Sequence, residues 1–453
     1  MENKRALQWV LLGVIGLLNF AATCSWGQDA MTPPGAPVSG SGTFFFQTGD
    51  TPAVFLGDSI TEQRLYTTLI ETYTLTRFPG IKITFRNAGW GGDTSWLARR
   101  GDFDAALKRD VLDLHAKAVT IDFGMNDARG GDANYTKFLE ATTKLVKTIE
   151  KSGARVVLLT PSPEERYEPN APGGSSYNVM LKKFCDGLKI VSDNEKVQLI
   201  DQYTPFIGYI EAGRKAGVLS AAGSPGDPTT VCLTNDGIHP NWGGHLIMAT
   251  IILQAMHATQ DVSSVALDAD AKSITATENC QVEFLDSPAG TFKFKRTDEC
   301  LPWPIPVDPK IDTVLKIPGF DPLTALDRYE LKVTGLKELA YTLLIDDRSA
   351  GVYTSADLAN GVNLATTMTQ GPIYDQEQDL LKAVMAKNDL YFHRWREVQA
   401  YELPDWLMRN PNTDTIRGLE LDRVDGLIGE REKQIEILRQ PVPHIFRLVP
   451  VPK

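Results

Sequence analysis

At 453 residues the chain is too long for one compact core, so two or three folded units are expected. Its 42% hydrophobic and 23% charged residues are those of an ordinary globular protein. A formal net charge of -11, with a pI near 5.2, argues against nucleic acid or an anionic membrane surface as a partner.

The N-terminus opens with Lys4 and Arg5, followed by an apolar run from Ala6 to Ala22 that only Gln8 and Asn19 interrupt. Small residues follow at Ala22, Thr23, Cys24 and Ser25. This is the order of a secretory signal peptide, read over residues 1–27. It implies a secreted or periplasmic chain. An uncleaved membrane anchor is the lesser alternative, because the run sits at the lower edge of spanning length. Lipid attachment at Cys24 is a minor one. No other segment is long and apolar enough to span a bilayer, so the mature chain is expected to have no membrane span. Residues 28–42 are rich in Pro, Gly and Ser and read as a linker.

From residue 43 to 260, short apolar runs alternate with helical patterns. The expected strands are Ala53–Gly57, Ile81–Arg86, Ala118–Phe123, Arg155–Thr160 and Val197–Ile200. The expected helices include Gln63–Thr76, Tyr135–Lys151, Tyr177–Asp193 and Gly243–His257. Apolar strands separated by helices imply an α/β unit, a parallel sheet covered on both faces. Reactive groups then gather at the carboxyl ends of its strands. Residues 261–350 change to alternating patterns such as Ser273–Thr277, Thr291–Lys295, Tyr329–Val333 and Ala340–Ile345, and read as a small β-sandwich-like unit. Residues 351–453 read as a charged helical C-terminal region. Asp375–Lys387 and Leu419–Leu438 carry its apolar residues at three- and four-residue spacing. The aromatic and basic stretch Leu390–Arg396, which includes His393, reads as a dock for this tail on the α/β unit.

There are five cysteines. Removal of the signal leaves Cys185, Cys232, Cys280 and Cys300, which an exported chain can pair. A Cys280–Cys300 bridge is expected, with Cys185–Cys232 as a second possibility. No two cysteines have metal-ligand spacing, and no metal site is read.

Four short blocks carry chemistry. Gly57-Asp58-Ser59 directly follows the first strand and precedes a helix, so Ser59 stands at the edge of the sheet; taken alone it could be an ordinary N-cap serine. Asp236 precedes His239 by three residues on a late loop. That spacing lets the carboxylate hold one ring nitrogen while the other faces a hydroxyl, as a serine nucleophile requires. Asn87 to Asp93 follows the second strand with glycines at 89, 91 and 92, which allow close backbone approach. Gly124 to Asp127 follows the third strand, and Asn126 carries an amide that can donate to an oxyanion. The last two blocks, taken singly, are plain turn sequences.

Together, in this order, the blocks make the sequence resemble the SGNH, or GDSL, hydrolase superfamily over roughly residues 51–258. The resemblance implies a three-layer α/β/α flavodoxin-like fold with five parallel strands. It implies catalysis by Ser59, His239 and Asp236, with an oxyanion hole built from the Ser59 and Gly92 N–H groups and the Asn126 side chain. Gly89 and Gly91 are near alternatives, and the spacing from Asn87 favours Gly92. No metal or organic cofactor is implied. The expected substrate is a small acyl ester, including O-acetylated carbohydrate. An acyltransferase using the same triad and a carbohydrate-binding protein with an inactive site are the competing readings. Trp90, Trp96 and Tyr167 are candidates to stack on a sugar or acyl group, or are ordinary packed aromatics. His245, on an apolar helix, reads as packed rather than catalytic.

Overall fold

A computed structural model describes residues 43–168, 170–221, 226–227 and 229–452. The signal peptide and the linker lie outside the described residues.

Five strands form the first sheet: β1 (Ala53–Gly57), β2 (Phe85–Gly89), β3 (Ala118–Asp122), β4 (Arg155–Leu159) and β5 (Gln198–Ile200). They are parallel, in the order β2-β1-β3-β4-β5. Strands β1, β3 and β4 are almost wholly buried, which is why they read as continuous apolar runs rather than alternating ones. The chain moves one way from β1 to β2 and the other way from β2 onward. Right-handed crossovers therefore place the helices on both faces. The helix α1 (Ser59–Glu62) and the longer α2 (Leu65–Arg77) connect β1 to β2. The helices α3 (Asp132–Lys151) and α4 (Tyr177–Glu195) lie after β3 and β4 and pack together. Next come α5 (Tyr203–Lys215) and α6 (Trp242–Ala255). Helix α6 packs on α2 and is buried on nearly every side, so its apolar residues show no one-sided pattern.

The second strand differs from its expected place. Pairing begins at Phe85, opposite Ala53, and ends with Gly89 opposite Gly57. Ile81 and Ile83 are buried in the approach to the strand without joining the ladder. The shift puts Asn87 inside the sheet and brings the glycine block to its edge.

Beyond residue 260 two more sheets face each other. One has the order β13-β10-β6-β7, from β6 (Asp261–Asp268), β7 (Ser273–Glu278), β10 (Arg328–Thr334) and β13 (Val362–Asn363). The other has the order β12-β11-β14-β9-β8. Its strands are β8 (Cys280–Phe284), β9 (Phe292–Asp298), β11 (Ala340–Ile345), β12 (Arg348–Thr354) and β14 (His444–Pro450). Val265 and Leu331 from one sheet share a core with Phe294, Leu343 and Phe446 from the other. The C-terminal region contributes to both cores. Its helices α7 (Pro372–Phe392) and α8 (Thr413–Leu438) send Leu380, Val384 and Val424 into the α/β core. Its last strand, β14, inserts between β11 and β9. No helix among the described residues is long and apolar enough to cross a membrane.

The expected Cys280–Cys300 bridge is absent. Both thiols are buried and free, as are Cys185 and Cys232. Cys280 Sγ bonds the Ser264 carbonyl and Cys300 Sγ bonds the Val262 carbonyl, so each sulfur is engaged by a different carbonyl of β6.

Because β14 lies inside its sheet, Phe446 anchors the sandwich core at 0% exposure. Replacement of Phe446 by Ala should cost about 3–5 kcal/mol in denaturant unfolding. A loss below about 1 kcal/mol would show that the returning strand does not organise that core.

Candidate active site

Strand β1 ends at Gly57, whose backbone lies so close to its surroundings that a Cβ there would stand 2.2 Å from Thr61 Oγ1 and 2.8 Å from the Asp122 carbonyl. The chain then turns into α1. Asp58 caps that helix, its carboxylate accepting from Ile60 N–H at 3.0 Å. Ser59 is the first helical residue, so its N–H has no carbonyl a turn earlier to bond. The position lies beside the point where strand order reverses, at the carboxyl ends of β1 and β3.

His239 comes to Ser59 from 180 residues away. Thr234 and Pro240 form an isolated antiparallel bridge that pinches the loop between them. Asn235 N–H donates to the His239 carbonyl at 2.8 Å. Asp236 Oδ1 accepts from the Ile238 and His239 N–H groups at 3.0 and 2.8 Å, while its Oδ2 meets His239 Nδ1 at 2.8 Å. His239 Nε2 meets Ser59 Oγ at 2.8 Å. Burial pushes the Asp236 carboxyl upward. The His239 backbone and ring and the Ile238 N–H outweigh it and hold the group below the usual carboxylate range. An ionised Asp236 orients the ring so that Nε2 can take a proton from the serine.

The other two blocks converge on the same edge. Asn87 donates to the Thr61 carbonyl at 2.7 Å and accepts from Gly89 N–H at 2.9 Å, which occupies that N–H. A Cβ on Gly89 would stand 2.1 Å from Glu62 N. Gly89 therefore serves the approach of β2 to α1. Gly92 is exposed and takes φ +70°, a left-handed conformation that suits glycine. Asn126 Nδ2 donates to the Asp93 carbonyl at 2.9 Å and lies 3.4 Å from Asp58 Oδ2. Asp127 accepts from Ser95 N–H at 2.9 Å and Gly124 N–H at 3.1 Å, joining the loops after β2 and β3. Burial and then the Asp122 charge push the Asp58 carboxyl well up.

Two supports were not expected from the sequence. The first is Glu165, just beyond β4. Its buried carboxylate accepts from Leu233 N–H, Thr234 N–H and Thr234 Oγ1 at 2.8, 2.9 and 3.0 Å, which anchors the start of the His239 loop. The position at a strand's carboxyl end was the available signal. The second is Arg100, fully buried between Asp93 at 2.6 Å and Asp110 at 3.0 Å. It also donates to the Gly57 carbonyl at 2.9 Å. Trp395 of the C-terminal region donates to Asp110 at 2.7 Å, and Arg396 reaches Glu62 of α1 at 3.3 Å. The expected dock of Leu390–Arg396 thus falls against α1, the helix that begins at Ser59.

The candidate aromatics divide. Trp90 is buried, edge-on to Trp395 at 5.8 Å, with Arg396 3.6 Å above its ring. It packs rather than faces solvent. Trp96 is half-buried under Lys137, and Tyr167 is half-buried under Arg214. His245 is packed, as its apolar helix implied. Its Nδ1 accepts from Tyr66 N–H at 3.3 Å near the start of α2, and its Nε2 meets Gln63 Oε1 at 3.1 Å. Gln63 in turn donates to the Pro240 carbonyl at 3.2 Å.

Residues 55–247 match the GDSL-like lipase/acylhydrolase family. The α/β unit belongs to that family, and its activity class is carboxylic ester hydrolysis. No curated protein matches the sequence. Among solved structures, a gut microbial diltiazem-metabolizing enzyme, BT4096, is 24% identical with a TM-score of 0.74, over 90% of this chain and 99% of its own. That likeness extends the shared fold through the β-unit and the C-terminal helices. An acetylxylan esterase from Geobacillus stearothermophilus is 19% identical, over 48% of this chain and 98% of its own, with a TM-score of 0.37. The acetyl xylan esterase AlAXEase is 21% identical, over 45% and 98%, also at 0.37.

Burial, and then the charge of His239, lower the pKa of His245 from 6.5 to about 3. The unfolded chain then binds a proton that the folded chain refuses. The resulting stability is full above about pH 6.5 and falls as pH drops toward 3, by about 1.4 kcal/mol per unit. Unfolding free energies measured at pH 7 and pH 5 should converge less steeply in His245→Gln than in the parent. Equal slopes would show that His245 is protonated in the folded chain.

Proposed function

We propose that the protein is an exported serine esterase that works through an acyl-enzyme on small acyl esters, with O-acetylated carbohydrate as its substrate class. The observation that carries this reading is the continuous relay of Asp236, His239 and Ser59, at 2.8 Å for each link.

His239 Nε2 removes the Ser59 proton as Oγ attacks the ester carbonyl. Negative charge gathers on the carbonyl oxygen. The Ser59 and Gly92 N–H groups and the second hydrogen of the Asn126 amide receive it. That hydrogen makes only a weak 3.4 Å contact with Asp58 in the resting site, so an oxyanion competes for it readily. The Asp93 carbonyl holds the other and fixes the amide plane. His239 returns its proton to the leaving alcohol. Water, activated by the same ring, then releases the acyl group and regenerates Ser59. Asp236 stays ionised and stabilises the imidazolium formed in each half.

An open site supports the carbohydrate reading. The His239 and Asp236 side chains are 32% and 53% exposed, which leaves room for a bulky alcohol portion. Export rests on the Lys4–Ser25 pattern. The β-unit then serves as a spacer or a carbohydrate-binding module.

Hydrolysis of p-nitrophenyl acetate by the full chain is the test. Ser59→Ala should lower kcat/KM by on the order of 10⁴-fold or more. Asn126→Ala should lower kcat by about 10²–10³-fold with a smaller change in KM. Turnover that survives Ser59→Ala at the parent rate would remove the serine from the mechanism.

A further inference from the structure

The chain is strongly acidic overall, yet guanidinium groups stand beside three of the loops that build the site. Arg99 lies against Gly92, its Nε 3.6 Å from where a Cβ on that glycine would be. The residue is exposed. Arg129 follows Asn126 by one short turn, its N–H donating to the Asn126 carbonyl at 3.2 Å. Arg166 lies against Gly237, in the middle of the loop from Asp236 to His239, with its guanidinium carbon 3.5 Å from a Cβ built there.

Arg129 and Arg166 share one anion. Their Nη2 atoms reach the same Glu164 oxygen, Oε1, at 3.1 and 3.3 Å. The Glu164 side chain is 3% exposed, while the two arginines are 44% and 42% exposed. The other Glu164 oxygen is occupied by Ser175. Arg129 is also braced over the Tyr177 ring at 4.5 Å, and Tyr177 donates to the Met125 carbonyl at 2.7 Å. The 164–168 segment is tied to the catalytic loop by Glu165 N–H donating to the Gly237 carbonyl at 2.8 Å. Asp127 holds Ser95 and Gly124, Asp236 holds His239, and Glu168 accepts from Ser176 N–H. Two half-exposed guanidinium groups thus share one buried carboxylate oxygen, and Arg166 also faces the exposed Glu168 carboxylate. Each keeps N–H donors for a planar acceptor, in the geometry that matches a carboxylate.

We propose that Arg129 and Arg166 form an anion subsite bridging the Asn126 and His239 loops, and that it takes a carboxylate on the alcohol portion of the substrate, as in an acylated uronic acid. This deepens the esterase reading and rests on it for its orientation. His239 gives its proton to the leaving alcohol, and Arg166 flanks that loop, so the charge is met on the leaving-group side. A carboxylate fixed there presents the ester to Ser59 in a defined direction. Two guanidinium forks with donors to spare on one wall of the site favour a planar anion at this one place.

The experiment compares two probes that differ at one carbon, an O-acetylated methyl glucuronoside and the corresponding O-acetylated methyl glucoside. Calorimetric binding to the full Ser59→Ala chain at low salt should favour the uronate by about tenfold or more, and added salt should shrink the difference. The Arg129→Gln, Arg166→Gln pair should bring the two affinities together. Arg166→Lys, which keeps the charge, should retain most of the preference. Equal binding of both probes to the parent, or an equal weakening of both in the double variant, would overturn the proposal. Turnover of the same probes by the chain with Ser59 intact separates the two readings. A uronate preference in binding without turnover leaves the subsite standing and removes the esterase reading; turnover without preference does the reverse.

Discussion

Burying a guanidinium is expensive unless its charge and its donors are all met. Arg100 meets that demand in a way that organises everything around it. Its three partners belong to different parts of the chain: the Gly57 carbonyl at the end of β1, the Asp93 carboxylate in the loop after β2, and Asp110 beyond. Asp110 takes Arg109 as well, so two carboxylates face two guanidinium groups and the cluster is neutral. The Gly57 carbonyl fixes where the chain turns into Ser59. Asp93 fixes the Gly92 loop through its carboxylate and the Asn126 amide through its carbonyl. Loss of either acid would leave the buried cluster with a net positive charge, so the arrangement tolerates little drift.

The same cluster also takes in residues far beyond His239. The C-terminal region closes over the face of α2 and reaches the site. Lys387 pairs with buried Glu71, and Asn388 bonds Thr68 at 3.0 Å and Glu71 at 3.1 Å. Arg64 stacks on Phe392 at 4.2 Å. Trp395 then satisfies Asp110 and packs on Trp90. The strand β14 that follows α8 is held between β11 and β9, so the helices are tethered at both ends. The tail is a brace for the loops that carry Gly92 and Ser59 rather than an appendage.

Much of this was readable from residues alone. Buried parallel strands are apolar throughout, so Ala53–Gly57 and Arg155–Leu159 announce themselves. The hydrogen-bonded chain of Asp236, His239 and Ser59 was readable because Asp236 and His239 are near neighbours and Ser59 follows a strand directly. What escaped depends on contacts distant in sequence. Nothing local marks Arg100 as buried, Glu165 as an anchor or Trp395 as a partner of Asp110. The start of β2 was misplaced because Ile81 and Ile83 are buried for packing, not for pairing. Cys280 and Cys300 are close in sequence, but each sulfur is engaged by a different carbonyl of β6. The strand β14 was hidden behind a charged helix, and its short alternating pattern gains meaning only between β9 and β11.

The central claim is that Ser59 is the group His239 activates. A fluorophosphonate reacts with an activated serine and leaves a stable adduct, so treatment of the full chain followed by peptide mass spectrometry tests it directly. The account predicts one stoichiometric adduct on the peptide containing Ser59, formed much more slowly in His239→Ala. An adduct on another serine, or labelling of Ser59 at the same rate without His239, would contradict it.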